Sequence, residues 1–153
     1  AHLGEQPPEV DVLHGHAVEV LARDARRARP LLERAAALRP DDAEVASSLG
    51  LCLLELAEPT AARPWLERAA TLAPTWPLHH WNLAAALRRL TETDACTAAL
   101  RRYLRYATAT TAALDPEQGA RRALAERMLS SAAPPAAPRV HRTRRASSST
   151  LER

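Results

Sequence analysis

The sequence has no lysine and no phenylalanine, only four glycines, and aromatic residues at 3% of its length. So few glycines leave little material for tight turns, because glycine supplies most left-handed turn positions. A turn-rich β architecture is therefore excluded. No apolar run approaches the ~18 residues that a membrane-spanning helix needs, and no basic-then-apolar signal opens the sequence. The two cysteines, Cys52 and Cys96, lie 44 residues apart without a C-x-x-C pair. They read as buried free thiols of a reducing, cytoplasmic setting rather than a zinc or redox site. Catalytic signatures are missing too: there is no G-x-S-x-G, no phosphate-binding loop and no dinucleotide glycine cluster. Ser47 and Ser48 stand mid-helix, not on a strained turn. No enzyme activity, metal or cofactor is expected.

What remains is largely alanine and leucine within 46% hydrophobic residues. Both are strong helix formers that lose little side-chain freedom in a helix. An all-α protein is predicted. All 21 basic residues are arginine, a bias that a GC-rich genome explains as readily as selection for guanidinium chemistry. Residues 131–153 hold Arg139, Arg142, Arg144, Arg145 and Arg153 against Glu152 alone, so the net charge of +3 belongs to the tail. The tail is rich in Pro, Ser and Arg without periodicity, and is expected to be disordered.

One stretch is written twice. ARPLLERAAALRP at 28–40 returns as ARPWLERAATLAP at 62–74, a shift of 34 residues. That period is the length of one helix–turn–helix repeat. In the middle unit Ala46, Leu49, Gly50 and Leu53 form the first helix's packing stripe, and Ala62, Leu66, Ala69 and Pro74 form the second's. Shifted by 34, His80, Leu83, Ala84 and Leu87 are followed by Cys96, Leu100 and Tyr103. Shifted back, Ala28, Leu32, Ala35 and Pro40 match, while Leu13, Ala17 and Val20 align only after a one-residue deletion in the turn. Pro30 and Pro64 are predicted to lie among the first four residues of helices that start near 26–27 and 60–61, with Thr60 as N-cap. Pro40 and Pro74 close the same helices. At 115–118 DPEQ reads as a new start, Asp115 capping and Pro116 first, with Leu124, Ala125, Met128 and Leu129 as the apolar side of a capping helix.

Residues 11–108 thus resemble a three-unit tetratricopeptide-repeat domain, with units at 11–40, 41–74 and 75–108 and a cap at 116–130. The resemblance implies paired antiparallel helices stacked as a short right-handed superhelix, a tetratricopeptide-like α-solenoid whose first helices line a concave groove. Such domains bind segments of partner proteins and are seldom catalytic. By resemblance the groove positions are Asp11, His14, Val18 and Leu21, then Glu44, Ser47, Leu51 and Leu54, then Leu78, Trp81, Ala85 and Arg88 with Asn82 beside them. Only Asn82 fits the Lys/Asn/Arg clamp by which some family members hold a C-terminal carboxylate, so that mode is not expected here. The expected function is a non-enzymatic adaptor holding an apolar or amphipathic segment against Val18, Ser47, Leu51, Leu54, Trp81, Asn82 and Arg88. The alternatives are a repeat appendage of a larger signalling enzyme and an electrostatic binder of nucleic acid or membrane through Arg139–Arg145. RRAS around Ser147 resembles a basophilic kinase site. His14/His16 and His79/His80 are two and one residues apart, which fails the three-or-four spacing of a helical metal pair. They are expected on solvated helix surfaces.

Overall fold

The computed structural model describes residues 8–108 and 115–131, and the tail features at 132–153, Ser147 included, lie outside the described residues. Among the described residues the chain is all helix: α1 (Pro8–Leu21), α2 (Ala25–Leu38), α3 (Ala43–Glu55), α4 (Pro59–Leu72), α5 (Pro77–Arg89), α6 (Thr93–Tyr106) and α7 (Pro116–Ser131). From α1 to α6, turns of a few residues make sequential helices antiparallel neighbours. Each helix packs on the next, α1 also touches α3, and α3 touches α5. By contrast α2 does not reach α4, nor α4 α6. First helices stay together while second helices splay apart, which makes an all-α solenoid with α1, α3 and α5 on its inner side.

The core follows the repeat. Leu32, Leu49 and Leu66 are at most 1% exposed, with Ala28, Ala62 and Ala69 fully buried beside them. Gly50 is required by close approach: a Cβ there would stand 2.4 Å from Leu66 Cδ2. Cys52 and Cys96 are buried and free, each thiol reaching a backbone carbonyl, Ala25 at 3.2 Å and Ala84 at 3.4 Å. Burial pushes both thiols up from their ordinary value, so they persist as packing thiols rather than nucleophiles.

Helix starts differ from expectation in two places. The Asp24 carboxylate accepts from the amides of Arg26 and Arg27 at 3.0 and 3.3 Å, which begins α2 at Ala25. In α4 Pro59 itself is the first residue, Glu58 occupies the N-cap position, and Thr60 lies inside the helix. Pro30 and Pro64 are therefore the sixth residues of their helices, beyond the four that lack partners. Each deprives one carbonyl, that of Arg26 or Thr60, of its helical donor. Both of those residues are exposed, so water can replace the lost donor. At α7 the Asp115 carboxylate accepts from the Glu117 amide at 2.9 Å, with Pro116 first.

The turns record the one-residue deletion. After α3 the Ala57 amide donates to Leu54 O (3.0 Å) and Glu58 to Leu53 O (2.8 Å). After α5 Thr91 donates to Arg88 O (3.1 Å) and Glu92 to Leu87 O (3.0 Å). These are paired closures around a left-handed residue, and Ala57 and Thr91 both have φ of 59°. After α1 the closing bond runs from Asp24 to Val20 O at 2.7 Å, one residue tighter. Thr91 is the costlier of the two left-handed residues, being β-branched. Thr91→Gly should raise stability by ~0.5–1 kcal/mol, the steric relief exceeding glycine's extra chain entropy. A higher urea midpoint at unchanged slope is the expected observation.

An exposed ion-pair ladder repeats at the same period. Arg29 pairs with Glu33 and Glu58, and Arg63 with Glu67 and Glu92. Exposed pairs are screened and add little stability. Their use is in fixing how each second helix sits on the next turn.

Candidate protein-binding groove

The inner side of α1, α3 and α5 presents an apolar stripe. Val18 is 43% exposed and Leu78 36%. Leu51, Trp81 and Ala85 are half-buried and Arg88 is exposed. A helix places residues three and four apart on one face, so Leu78, Trp81, Ala85 and Arg88 form one row. Leu51 carries the row onto α3 and Val18 onto α1. Asp11 and Glu44 lie at the N-terminal ends of their helices and Arg88 at the opposite end, so the stripe has an acidic and a basic end. Hydrogen bonding to Arg39 holds the Asp11 carboxyl below its ordinary value.

Ser47, Leu54 and Asn82 are buried at 5–6% exposure and lie in the seam between helices, not on the open face. Asn82 Nδ2 donates to Ser47 Oγ at 3.2 Å, linking α5 to α3. His14 Nε2 meets Ser48 Oγ at 2.9 Å, linking α3 to α1. Arg89 Nη1 donates to the Leu54 carbonyl at 2.6 Å, so its charge caps the end of α3. These polar groups hold the first helices in register. They support the stripe from beneath.

Trp81 has two neighbourhoods. One side of its ring meets Tyr103, with centroids 5.2 Å apart and planes tilted by 54°. It also lines a cavity of about 50 Å³ with Leu100 of α6 and Leu124 and Met128 of α7. Helix α7 thus abuts the end of the stripe. Beyond it a pocket of about 280 Å³ is framed by Trp76, Leu78, Tyr103, Tyr106, Gln118 and Arg121. Trp76, 55% exposed, was not singled out from the sequence. The available signal was a large apolar residue in a turn, directly before Pro77.

His79 and His80 correct the sequence expectation: both are 3% exposed, not solvated. Their places one period earlier are Val45 and Ala46, both core residues, so the repeat register puts the imidazoles inside. His80 Nε2 donates to the Pro74 carbonyl at 2.6 Å, and the ring stacks on Tyr106 at 5.7 Å. Among the described residues no three His, Cys, Asp or Glu side chains gather as a metal site.

Burial holds the His79 imidazole below its ordinary pKa, with Glu44 partly opposing and His80 adding to the depression. The unfolded chain therefore takes up this proton first. Stability from neutral His79 is fully present above about 6.5, the ordinary histidine value, and is lost as pH falls through the lower folded value. Denaturation midpoints should drop below pH 6.5 in the parent, and His79→Leu should flatten that part of the profile. An identical acid dependence in both proteins would contradict this.

The helix-pair solenoid defines the class of protein. A tetratricopeptide-repeat family model matches residues 20–90, and this match supports a tetratricopeptide-repeat family. A comparison with curated proteins finds no match. Among solved structures, the Yersinia enterocolitica type III secretion chaperone SycD, in complex with a peptide of the translocator YopD, superposes with a TM-score of 0.72 at 14% identity, covering 86% of this chain and 95% of that one. PcrH, a Pseudomonas aeruginosa protein, in complex with the chaperone binding region of PopD, gives 0.70 at 19% identity, covering 86% and 96%. A type III secretion complex from Aeromonas hydrophila gives 0.68 at 19%, covering 82% and 81%. At such identities the likeness is one of fold. No helix among the described residues is long and apolar enough to cross a membrane.

Proposed function

We propose that residues 11–130 are three tetratricopeptide repeats with a capping helix at 116–130, and that this unit is a non-enzymatic protein-binding module of the cytoplasm. Its ligand is an apolar or amphipathic segment of a partner protein, laid across α1, α3 and α5. The observation that carries this reading is the stripe of Val18, Leu51, Leu78, Trp81 and Ala85, left accessible on three adjacent helices. Burying one face of an amphipathic segment against such a stripe is a common recognition mode. The similar folds of SycD, in complex with a peptide of the translocator YopD, and of PcrH, in complex with the chaperone binding region of PopD, support the same mode. Val18, Leu51, Trp81 and Arg88 touch the ligand in this scheme, and Ser47, Leu54 and Asn82 keep the helices beneath them in place. Two buried unpaired thiols support a reducing compartment.

The test is a displayed-peptide selection against the intact protein. Enriched peptides should carry apolar residues at helical spacing. Val18→Glu, at an exposed position, should lower their affinity by about tenfold or more, since it sets a charge against an apolar face. Equal affinity for parent and variant would overturn the reading.

A further inference from the structure

The outer side of the solenoid carries a second feature. Because α4 and α6 do not touch, a groove of about 680 Å³ lies between them, floored by Leu83 and Leu87 of α5. Its α6 wall is small, with Ala95, Ala98 and Ala99, while the α4 wall sets Arg63, Glu67 and Thr71 beside Ala70. The repeat explains why this groove is open. Ala99 stands 34 residues after Trp65, which is half-buried against the core, so a methyl group replaces an indole.

Charge changes in the same register. Arg68 of α4 pairs with Asp41 at 3.6 Å. One period later Arg102 lines the groove and Thr75 stands where the acid stood. Arg105 takes the place of Thr71. Both arginines are exposed groove residues, and no ion pair joins either to an acid among the described residues. Arg63, on the opposite wall, is already held by Glu67 and Glu92. An apolar floor and α6 wall beside two unmatched guanidiniums suit one kind of occupant. We propose that this groove is a second docking site, separate from the inner stripe, for an acidic amphipathic segment of a partner protein. The segment sets apolar side chains along Ala95 and Ala98, over the buried Leu83 and Leu87, and its carboxylates meet Arg102 and Arg105, a geometry in which guanidinium forms charge-assisted hydrogen bonds.

The experiment is a displayed-peptide selection on the full chain, counter-selected against the Arg102→Glu/Arg105→Glu protein. Both positions are exposed, so the variant should melt like the parent. Enriched peptides should carry Asp or Glu next to Leu or Ile. They should lose about tenfold or more in affinity on the double variant and weaken as salt rises. Ala98→Tyr, which fills the groove from an exposed position, should block them, while Val18→Glu should leave them unaffected. Peptides without acidic preference, undiminished affinity for the double variant, loss on Val18→Glu instead, or no enrichment would each overturn the proposal. So would capture of a single-stranded oligonucleotide that competes with the peptides.

Discussion

Leu66→Asp should abolish the cooperative thermal transition. Leu66 is fully buried and its Cδ2 lies against Gly50, where even a methyl group would come within 2.4 Å. The side chain fills the point at which α3 and α4 approach most closely, so a carboxylate there has neither water nor room to turn. Removing the leucine costs ~2–5 kcal/mol in lost burial and cavity. Burying a carboxylate without a partner adds several more. The total exceeds much of the ~5–15 kcal/mol that stabilises a domain of this size. Solenoid repeats lean on their neighbours, so α2 and α5 should lose protection with α4. Gly50→Val should act in the same direction from the other side of the contact. A sigmoidal melt for Leu66→Asp within a few degrees of the parent would show that the packing register is wrong.

Trp81→Ala should remove most of the binding of an apolar segment. Trp81 is half-buried in the free protein, which leaves one part of the indole for a ligand and one for Tyr103. Buried tryptophans are over-represented among the few residues that dominate interfaces, because the ring covers much area with few rotatable bonds. Truncation should cost ~2 kcal/mol or more, about thirtyfold in Kd. The same change loses the Tyr103 contact, worth ~0.5–1.5 kcal/mol, and widens the cavity shared with Leu124 and Met128. The melt should therefore shift downward while staying cooperative, since the Leu49–Leu66 seam is untouched. Calorimetric titration beside the thermal melt separates the two effects. Unfolding of the variant, or binding as tight as the parent's, would remove Trp81 as the anchor.

The architecture was legible because one packing scheme is written at a fixed period. Ala28 and Ala62, Leu32 and Leu66, and the stops at Pro40 and Pro74 all fall 34 residues apart, and each is found in the expected role. Left-handed turn residues were not legible, because Ala57 and Thr91 carry none of the glycine signal that usually marks them. Pro30 and Pro64 misled by about two residues. A proline is informative about the first turn only if the cap is known, and Asp24 and Pro59 set those starts. His79 and His80 looked polar by residue type, yet their register with Val45 and Ala46 placed them in the core. The inner stripe was readable to within one helical position. Ser47, Leu54 and Asn82 sit at the boundary between the open face and the seam, where a rotation of some tens of degrees decides exposure. Only neighbouring helices settle that rotation, and Ser47–Asn82 is one of the contacts that settles it.

The most direct test uses the three tryptophans. Trp65, Trp76 and Trp81 each give one indole N–H signal in a nitrogen–proton correlation spectrum. They sit on the second helix of a pair, in a turn, and on the inner stripe. Titrating a peptide obtained by selection should move the Trp81 signal strongly and leave that of Trp65 in place. The backbone amides of Val18 and Leu51 should shift with Trp81 at the same midpoint. A titration that moves Trp65 while Trp81, Val18 and Leu51 stay fixed would contradict the inner groove as the binding surface.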